Sequence, residues 1–323
     1  MKPKIFISTF PFCRTDDTPR RLLAEAGCEI IENTKGRKLK PAELALLAKD
    51  CKGVVAGTED LRDLVRESGT LKIIARVGVG LDNVPFDLCR EKNIKVAYTP
   101  NAVTPAVAEL TIGLMLNITR QVSMADREIR MGGWSRPYGQ RLGASTIGII
   151  GFGRIGKSVA KLLASFQPKK ILIHDKIDLQ ATLAEWNKDR PSIQQVDLPQ
   201  LLRESDIVSL HLPRTSSTLN FISRAELSSM KKSAYLVNTA RGGIVNEQDL
   251  LHCLNDAIIA GAAVDVFEEE PYTGPLIRNS RVLLTQHMGS CAEDSRADME
   301  REACEDIVRF LQDKPIKSEA PWE

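Results

Sequence analysis

Between Thr146 and Gly156 the chain reads TIGIIGFGRIG, and an amphipathic stretch, KSVAKLLASF, follows directly. No other feature restricts the fold as tightly. A buried strand must turn at once into a helix, and each glycine has a task in that turn. Gly151 permits the tight bend, Gly153 lets the backbone approach a pyrophosphate, and Gly156 lets the helix pack close to the sheet. Arg154 and Ile155 open the helix, whose N-terminus offers N–H groups and partial positive charge to phosphate oxygens. The next strand-like run, KKILIHD, ends in Asp175, 24 residues beyond Gly151. That is close to the spacing of an acid that binds the adenosine ribose hydroxyls and repels the 2′-phosphate of NADP. The expected cofactor is NAD.

Short apolar runs rich in Ile and Val alternate with helical patterns along most of the 323 residues. Strands are expected at 4–9, 29–32, 54–57, 72–77 and 95–98, then at 146–150, 170–174, 207–210, 234–238, 261–264 and 282–285. Runs apolar on both faces and separated by helices imply parallel sheets covered on both sides. A chain of this length exceeds what one core normally serves. The expected fold class is therefore α/β, with two doubly wound parallel-sheet lobes of Rossmann/flavodoxin-like type joined by a long crossing helix. That helix is expected over residues 104–131, capped by Thr104-Pro105 and stopped by Gly132-Gly133. A substrate (catalytic) domain would comprise 1–101 plus 289–323, and an NAD-binding Rossmann domain 102–288. The tail from Glu293 to Leu311 reads as an amphipathic helix returning to the first lobe.

Charge patterning narrows the function. The net charge is +2, with Lys and Arg scattered among Asp and Glu. No basic face suits nucleic acid and no polybasic run suits a membrane surface. No apolar run is expected to span a bilayer, and MKPKIFISTF leads into a strand without a signal-peptide pattern. Seven cysteines, an odd number without a CxxC pair, point to reduced thiols in a cytoplasmic protein and to no metal site. Cys13 and Cys291 stand near segments assigned to chemistry, although packing is the simpler role for each.

Hydride transfer from a hydroxy acid needs a base for the hydroxyl proton, a cation for the carboxylate and an acid that orients the base. His287 follows the run VLLTQ, Glu270 follows GAAVDV in DVFEEEP, and Arg241 follows AYLVN in NTARGG. Each stands at a strand's C-terminal end, where ligands bind in a doubly wound sheet. Separately each could be an ordinary turn residue. Their convergence on one sheet edge, after a complete dinucleotide motif, favours catalysis on a small-molecule substrate.

These segments resemble the D-isomer-specific 2-hydroxyacid dehydrogenase family, particularly its phosphoglycerate dehydrogenase-like members. RVGVGLDNV, NAVTPAVAEL, GIIGFGRIG, HLPRTSST, NTARGGIVN, AAVDVFEEEP and HMGS occur in the family's order and spacing. The resemblance implies that Arg241 binds the substrate's carboxylate and carbonyl oxygen, that His287 is the acid/base, and that Glu270 hydrogen-bonds it. It implies a substrate loop that Arg76 begins and in which the amides of Val77, Gly78, Val79 and Gly80 cradle the carboxylate. Cofactor contacts would come from His211, Pro213 and Thr218, with the backbone of Thr239 and Ala240 and the side chain of Asp265 at the nicotinamide carboxamide.

A homodimer is also implied, built on the crossing-helix region with its Ile112, Met115, Leu116 and Ile118. Arg136, with Arg76 and Arg14, would serve a second anionic group, so that a charged substrate such as 3-phosphoglycerate is expected to be preferred over lactate. Hydroxypyruvate and glyoxylate are further substrates that the family suggests. Gln286 replaces a usual Pro, and the regulatory domain of longer phosphoglycerate dehydrogenases is not expected. Alternatives within the fold are a phosphite-type dehydrogenase using the same three residues and an NAD(H)-sensing corepressor-like binding protein.

Overall fold

A computed structural model describes residues 2–187 and 193–321. The chain divides into two compact units, Met1–Val103 with Ser290–Glu323, and Thr104–Gly289.

The first unit holds five parallel strands: β1 (Lys4–Ile7), β2 (Glu29–Glu32), β3 (Gly53–Ala56), β4 (Ile73–Arg76) and β5 (Lys95–Tyr98). Their order is β2-β1-β3-β4-β5, so the topology reverses between β1 and β3. Strands β3 and β4 are buried throughout, as GVVA and IIAR should be when both faces are covered. The helices here are α1 (Thr18–Glu25), α2 (Pro41–Ala48), α3 (Arg62–Glu67) and α4 (Phe86–Glu91). The tail helix, Glu293–Leu311, packs on α1, β3 and β4. Beyond it the chain pairs antiparallel with β5 at Ala97 and Glu319, held by Asp306, which accepts the Lys317 N–H at 2.7 Å. Sequence patterning did not anticipate that pairing.

The crossing segment differs from expectation. It is two helices, α5 (Pro100–Arg120) and α6 (Val122–Arg130), broken at Gln121, whose φ of 56° is left-handed. Thr104-Pro105 lies inside α5, past its first turn, so the proline forgoes the bond that an N–H there would make to the Asn101 carbonyl. The stop at Gly132 (φ 83°) is as expected. By length and composition α5 could cross a membrane, contrary to the sequence expectation. Ala108, Ile112, Leu114, Met115 and Ile118 are instead buried against Ile147 and Ile149. They therefore do not supply the free apolar face on which the dimer expectation rested.

The second unit holds seven parallel strands: β6 (Thr146–Ile150), β7 (Lys170–His174), β8 (Ile193–Gln195), β9 (Ile207–Leu210), β10 (Tyr235–Asn238), β11 (Gly261–Val264) and β12 (Val282–Leu284). Their order is β12-β11-β10-β9-β6-β7-β8, which places the switch point between β6 and β9. Its helices include α7 (Arg154–Ala164), which buries Gly156, Val159, Ala160 and Leu163 at helical spacing. That chain segment turns at left-handed Gln167, just before Pro168. The helix α8 (Glu247–Asn255) follows β10, with the Asn246 side chain as its cap. Strand β8 escaped the sequence reading because IQQ, at the sheet edge, has one apolar residue and no alternation to read.

Candidate active site

At the switch point of the seven-stranded sheet, Gly151 has φ 92°, and a Cβ there would stand 2.6 Å from the His211 carbonyl oxygen. The loops after β6 and β9 thus touch, and only glycine fits. Above Gly153 there is open space, and the cap of α7 contributes no side-chain acceptor. The first-turn N–H groups of α7 are therefore available to an anion. Asp175 has a task that its spacing did not reveal. One of its oxygens accepts the Phe152 N–H at 2.7 Å, tying the end of β7 to the glycine loop.

His211 contacts Ser209 Oγ through Nε2 at 2.9 Å, while its Nδ1 is enclosed without a partner. Burial pushes its pKa down to about 3, so the ring is neutral. Thr218 Oγ1 donates to the Pro213 carbonyl at 2.6 Å and closes that turn. An open approach to Gly153, an uncapped helix start and an orphaned imidazole nitrogen fit a dinucleotide. Asp175→Asn is expected to narrow a wild-type preference for NADH over NADPH of about tenfold or more, measured as kcat/KM, because it removes the charge opposing the 2′-phosphate.

The three expected reacting residues stand along the neighbouring strand ends of the same unit. Both Glu270 carboxylate oxygens lie near His287 Nδ1, at 2.8 and 3.0 Å, and Oε1 also accepts the Phe267 N–H at 3.1 Å. A carboxylate can only accept, so Nδ1 carries the proton toward Glu270 and Nε2 is the other face of the ring. His287 has φ 49°, an unfavourable backbone state for a side chain other than glycine. Asp265 maintains it. Its carbonyl accepts the His287 N–H at 2.7 Å. Its fully buried carboxylate accepts Thr285 Oγ1 at 2.6 Å, the Met288 N–H at 2.9 Å and the Gly289 N–H at 3.0 Å. That work as the frame of the histidine turn was not legible from sequence.

Arg241 is shaped by its neighbours. The Asn238 side chain accepts the Ala240 N–H and donates to the Arg241 carbonyl, and Arg241 Nη1 donates to the Ala240 carbonyl at 2.7 Å. Thr239 Oγ1 pairs with Thr111 Oγ1 at 2.9 Å. Gly242 has a sharper reason to be glycine, since a Cβ there would overlap the Phe267 carbonyl. The Arg241 loop therefore lies directly against the backbone of the Glu270 loop.

The substrate loop of the first unit requires a correction. Arg76 is buried, with its guanidinium turned onto the Val77 carbonyl and toward Asn83 Oδ1 at 3.3 Å. These contacts brace the loop from within. The Val77 N–H is taken by the Ala56 carbonyl and the Gly78 N–H by Thr99 Oγ1. Of the four expected amides, those of Val79 and Gly80 are left to bind a carboxylate. Arg136 is exposed, with φ 52°. Burial pushes the Cys13 thiol pKa up to about 11, which disfavours the thiolate.

The family profile described as D-isomer specific 2-hydroxyacid dehydrogenase, NAD binding domain, matches residues 112–289. The chain is 36% identical to a hydroxypyruvate reductase of Thermotoga maritima, across 89% of this chain and 91% of that protein. It is 35% identical to a D-3-phosphoglycerate dehydrogenase of Methanocaldococcus jannaschii, across 84% of this chain but 52% of the longer relative. The structure of a glyoxylate reductase from Paecilomyes thermophila superposes with a TM-score of 0.84 at 25% identity, covering 99% of this chain and 98% of that one. Profile, relatives and fold agree with the cofactor edge that the strands build: the chain belongs to the D-isomer specific 2-hydroxyacid dehydrogenase family and is an NAD-dependent oxidoreductase.

Proposed function

We propose that the chain reduces glyoxylate or hydroxypyruvate to the D-2-hydroxy acid, with His287 as acid/base. The observation that carries this reading is the pairing of His287 Nδ1 with the Glu270 carboxylate, which leaves Nε2 for the substrate. As an imidazolium, His287 gives its Nε2 proton to the keto oxygen. In the reverse direction the neutral Nε2 takes the hydroxyl proton. Glu270 stabilises the charged ring and holds its orientation. Arg241 supplies the cation for the carboxylate and for the oxygen on which charge develops. The nicotinamide cofactor, when bound, supplies the hydride. The backbone of Thr239 and Ala240 and the side chain of Asp265 would hold its carboxamide.

The substrate choice draws support from two sides. Relatives named hydroxypyruvate reductase and glyoxylate reductase align over nearly their whole length. Arg76, one of three arginines considered for a second anionic group, is committed to its own loop. A panel of glyoxylate, hydroxypyruvate, pyruvate and phosphohydroxypyruvate with NADH, with chiral analysis of the product, tests the choice. Faster turnover of the phosphorylated acid would return Arg14 and Arg136 to the substrate.

We also propose a cytoplasmic homodimer. The seven cysteines are free thiols, in keeping with a reducing compartment. Val122, Ile129 and Met131 are exposed on and after α6, and beyond them Trp134 is 76% and Tyr138 97% exposed. So large an apolar segment is the kind of surface that a second copy covers. Light scattering at micromolar concentration should give twice the chain mass, and Trp134→Glu should halve it. A monomeric wild type would contradict the dimer.

A further inference from the structure

The Arg241 loop after β10 and the Glu270 loop after β11 are joined by a side chain that the proposed chemistry does not use. Glu247, the first residue of α8, accepts the Glu268 N–H at 2.7 Å. Its own backbone is anchored by its neighbour: the Asn246 N–H bonds the Ile222 carbonyl at 2.9 Å, and the Asn246 side chain accepts the Asp249 N–H at 2.9 Å. The bond from Glu247 fixes the Phe267–Glu268 peptide. Phe267 in turn directs its N–H at Glu270 Oε1, and Glu270 holds His287 Nδ1. The same peptide's carbonyl is the one that Gly242 must clear. One carboxylate thus sets the height of the acid loop over the Arg241 loop.

The position is electrostatically unfavourable. Burial, reinforced by the like charges of Glu268, Glu269 and Glu270, raises the Glu247 pKa above the ordinary carboxylate value. A carboxyl placed where its ionised form is disfavoured lowers stability, which marks the position for a functional explanation.

We propose that Glu247 is a positioning residue of the hydride-transfer site, holding the Phe267–Glu268 peptide so that Glu270 and His287 are aligned with the Arg241 loop. The proposal rests on Glu270 and His287 being the reacting pair. Its test compares full-length Glu247→Ala, Glu247→Gln and Glu269→Ala. Alanine removes the bridge, and kcat is expected to fall about tenfold, the order of effect of a small misalignment, with the KM for NADH within about twofold of wild type. Glutamine keeps the acceptor without the charge and should recover most of kcat.

Glutamine should also raise Tm. A carboxyl with a raised folded-state pKa costs the fold stability as pH climbs from the unfolded value through the folded one, and glutamine does not titrate. The gain should therefore be present at neutral pH and vanish in acid. Glu269→Ala, which alters nearby charge without touching the bridge, should leave turnover near wild type. The proposal is overturned if Glu247→Ala turns over normally, if Gln is as slow as Ala, or if Glu269→Ala is equally slow. Normal turnover in His287→Ala would sink the underlying reading instead, whatever the Glu247 variants do.

Discussion

His287→Ala is expected to lower kcat for 2-keto acid reduction by about 10²- to 10⁴-fold, the span that a positioned general acid supplies. The Kd for NADH should hardly change, because the role proposed for the ring is on the substrate's oxygen through Nε2, while Nδ1 faces Glu270. Glu270→Gln should be milder. It keeps an acceptor near Nδ1 but removes the negative charge that faces the ring. Steady-state kinetics across pH, with NADH binding followed by fluorescence, separates the two effects. Turnover unchanged in His287→Ala would remove this residue from the mechanism.

The second large effect is expected from a substitution that removes no functional group. In Gly242→Ala the new methyl would overlap the Phe267 carbonyl, and the opposing atoms are backbone, which cannot swing aside as a flexible side chain can. The loops carrying Arg241 and Glu270 must part to reach ordinary van der Waals separation. A displacement of about 1 Å costs on the order of 10²-fold in rate where reacting groups depend on mutual position. We expect kcat/KM for the keto acid to fall by about that factor while far-ultraviolet circular dichroism stays native. The glycine loop around Gly151 and Gly156 is untouched, so the NADH affinity should stay within about threefold of wild type. Wild-type kinetics would mean that the two loops need not be in register.

What could be read from the residues follows from what periodicity encodes. Strands such as β6, TIGII, are apolar on both faces, and the glycine spacing after them is dictated by steric contacts within a few residues. Fold class and the glycine loop are of this local kind, and the candidates Arg241, Glu270 and His287 each stand in the loop after such a strand. The failures share a different cause. Arg76 ends β4 beside Ala56 and Tyr98, and its inward turn depends on Asn83 and on neighbouring strands, not on adjacent sequence. Asp265 and Glu247 act on N–H groups roughly twenty residues away, where no spacing rule applies. The break at Gln121 carries neither glycine nor proline to announce it. The sequence thus displayed the polar groups that stand at strand ends, and it hid the side chains that hold those turns in place.

The central claim is hydride transfer between NADH and the carbonyl carbon of a 2-keto acid. NADH deuterated at the transferable position of the nicotinamide ring, incubated with the enzyme and hydroxypyruvate or glyoxylate, tests it directly by mass spectrometry of the product. The account predicts one deuterium on C2 of the hydroxy acid for each NADH consumed, with D-glycerate formed from hydroxypyruvate, and almost no product from His287→Ala. NADH left intact with every 2-keto acid tried, or product formed without deuterium, would contradict it.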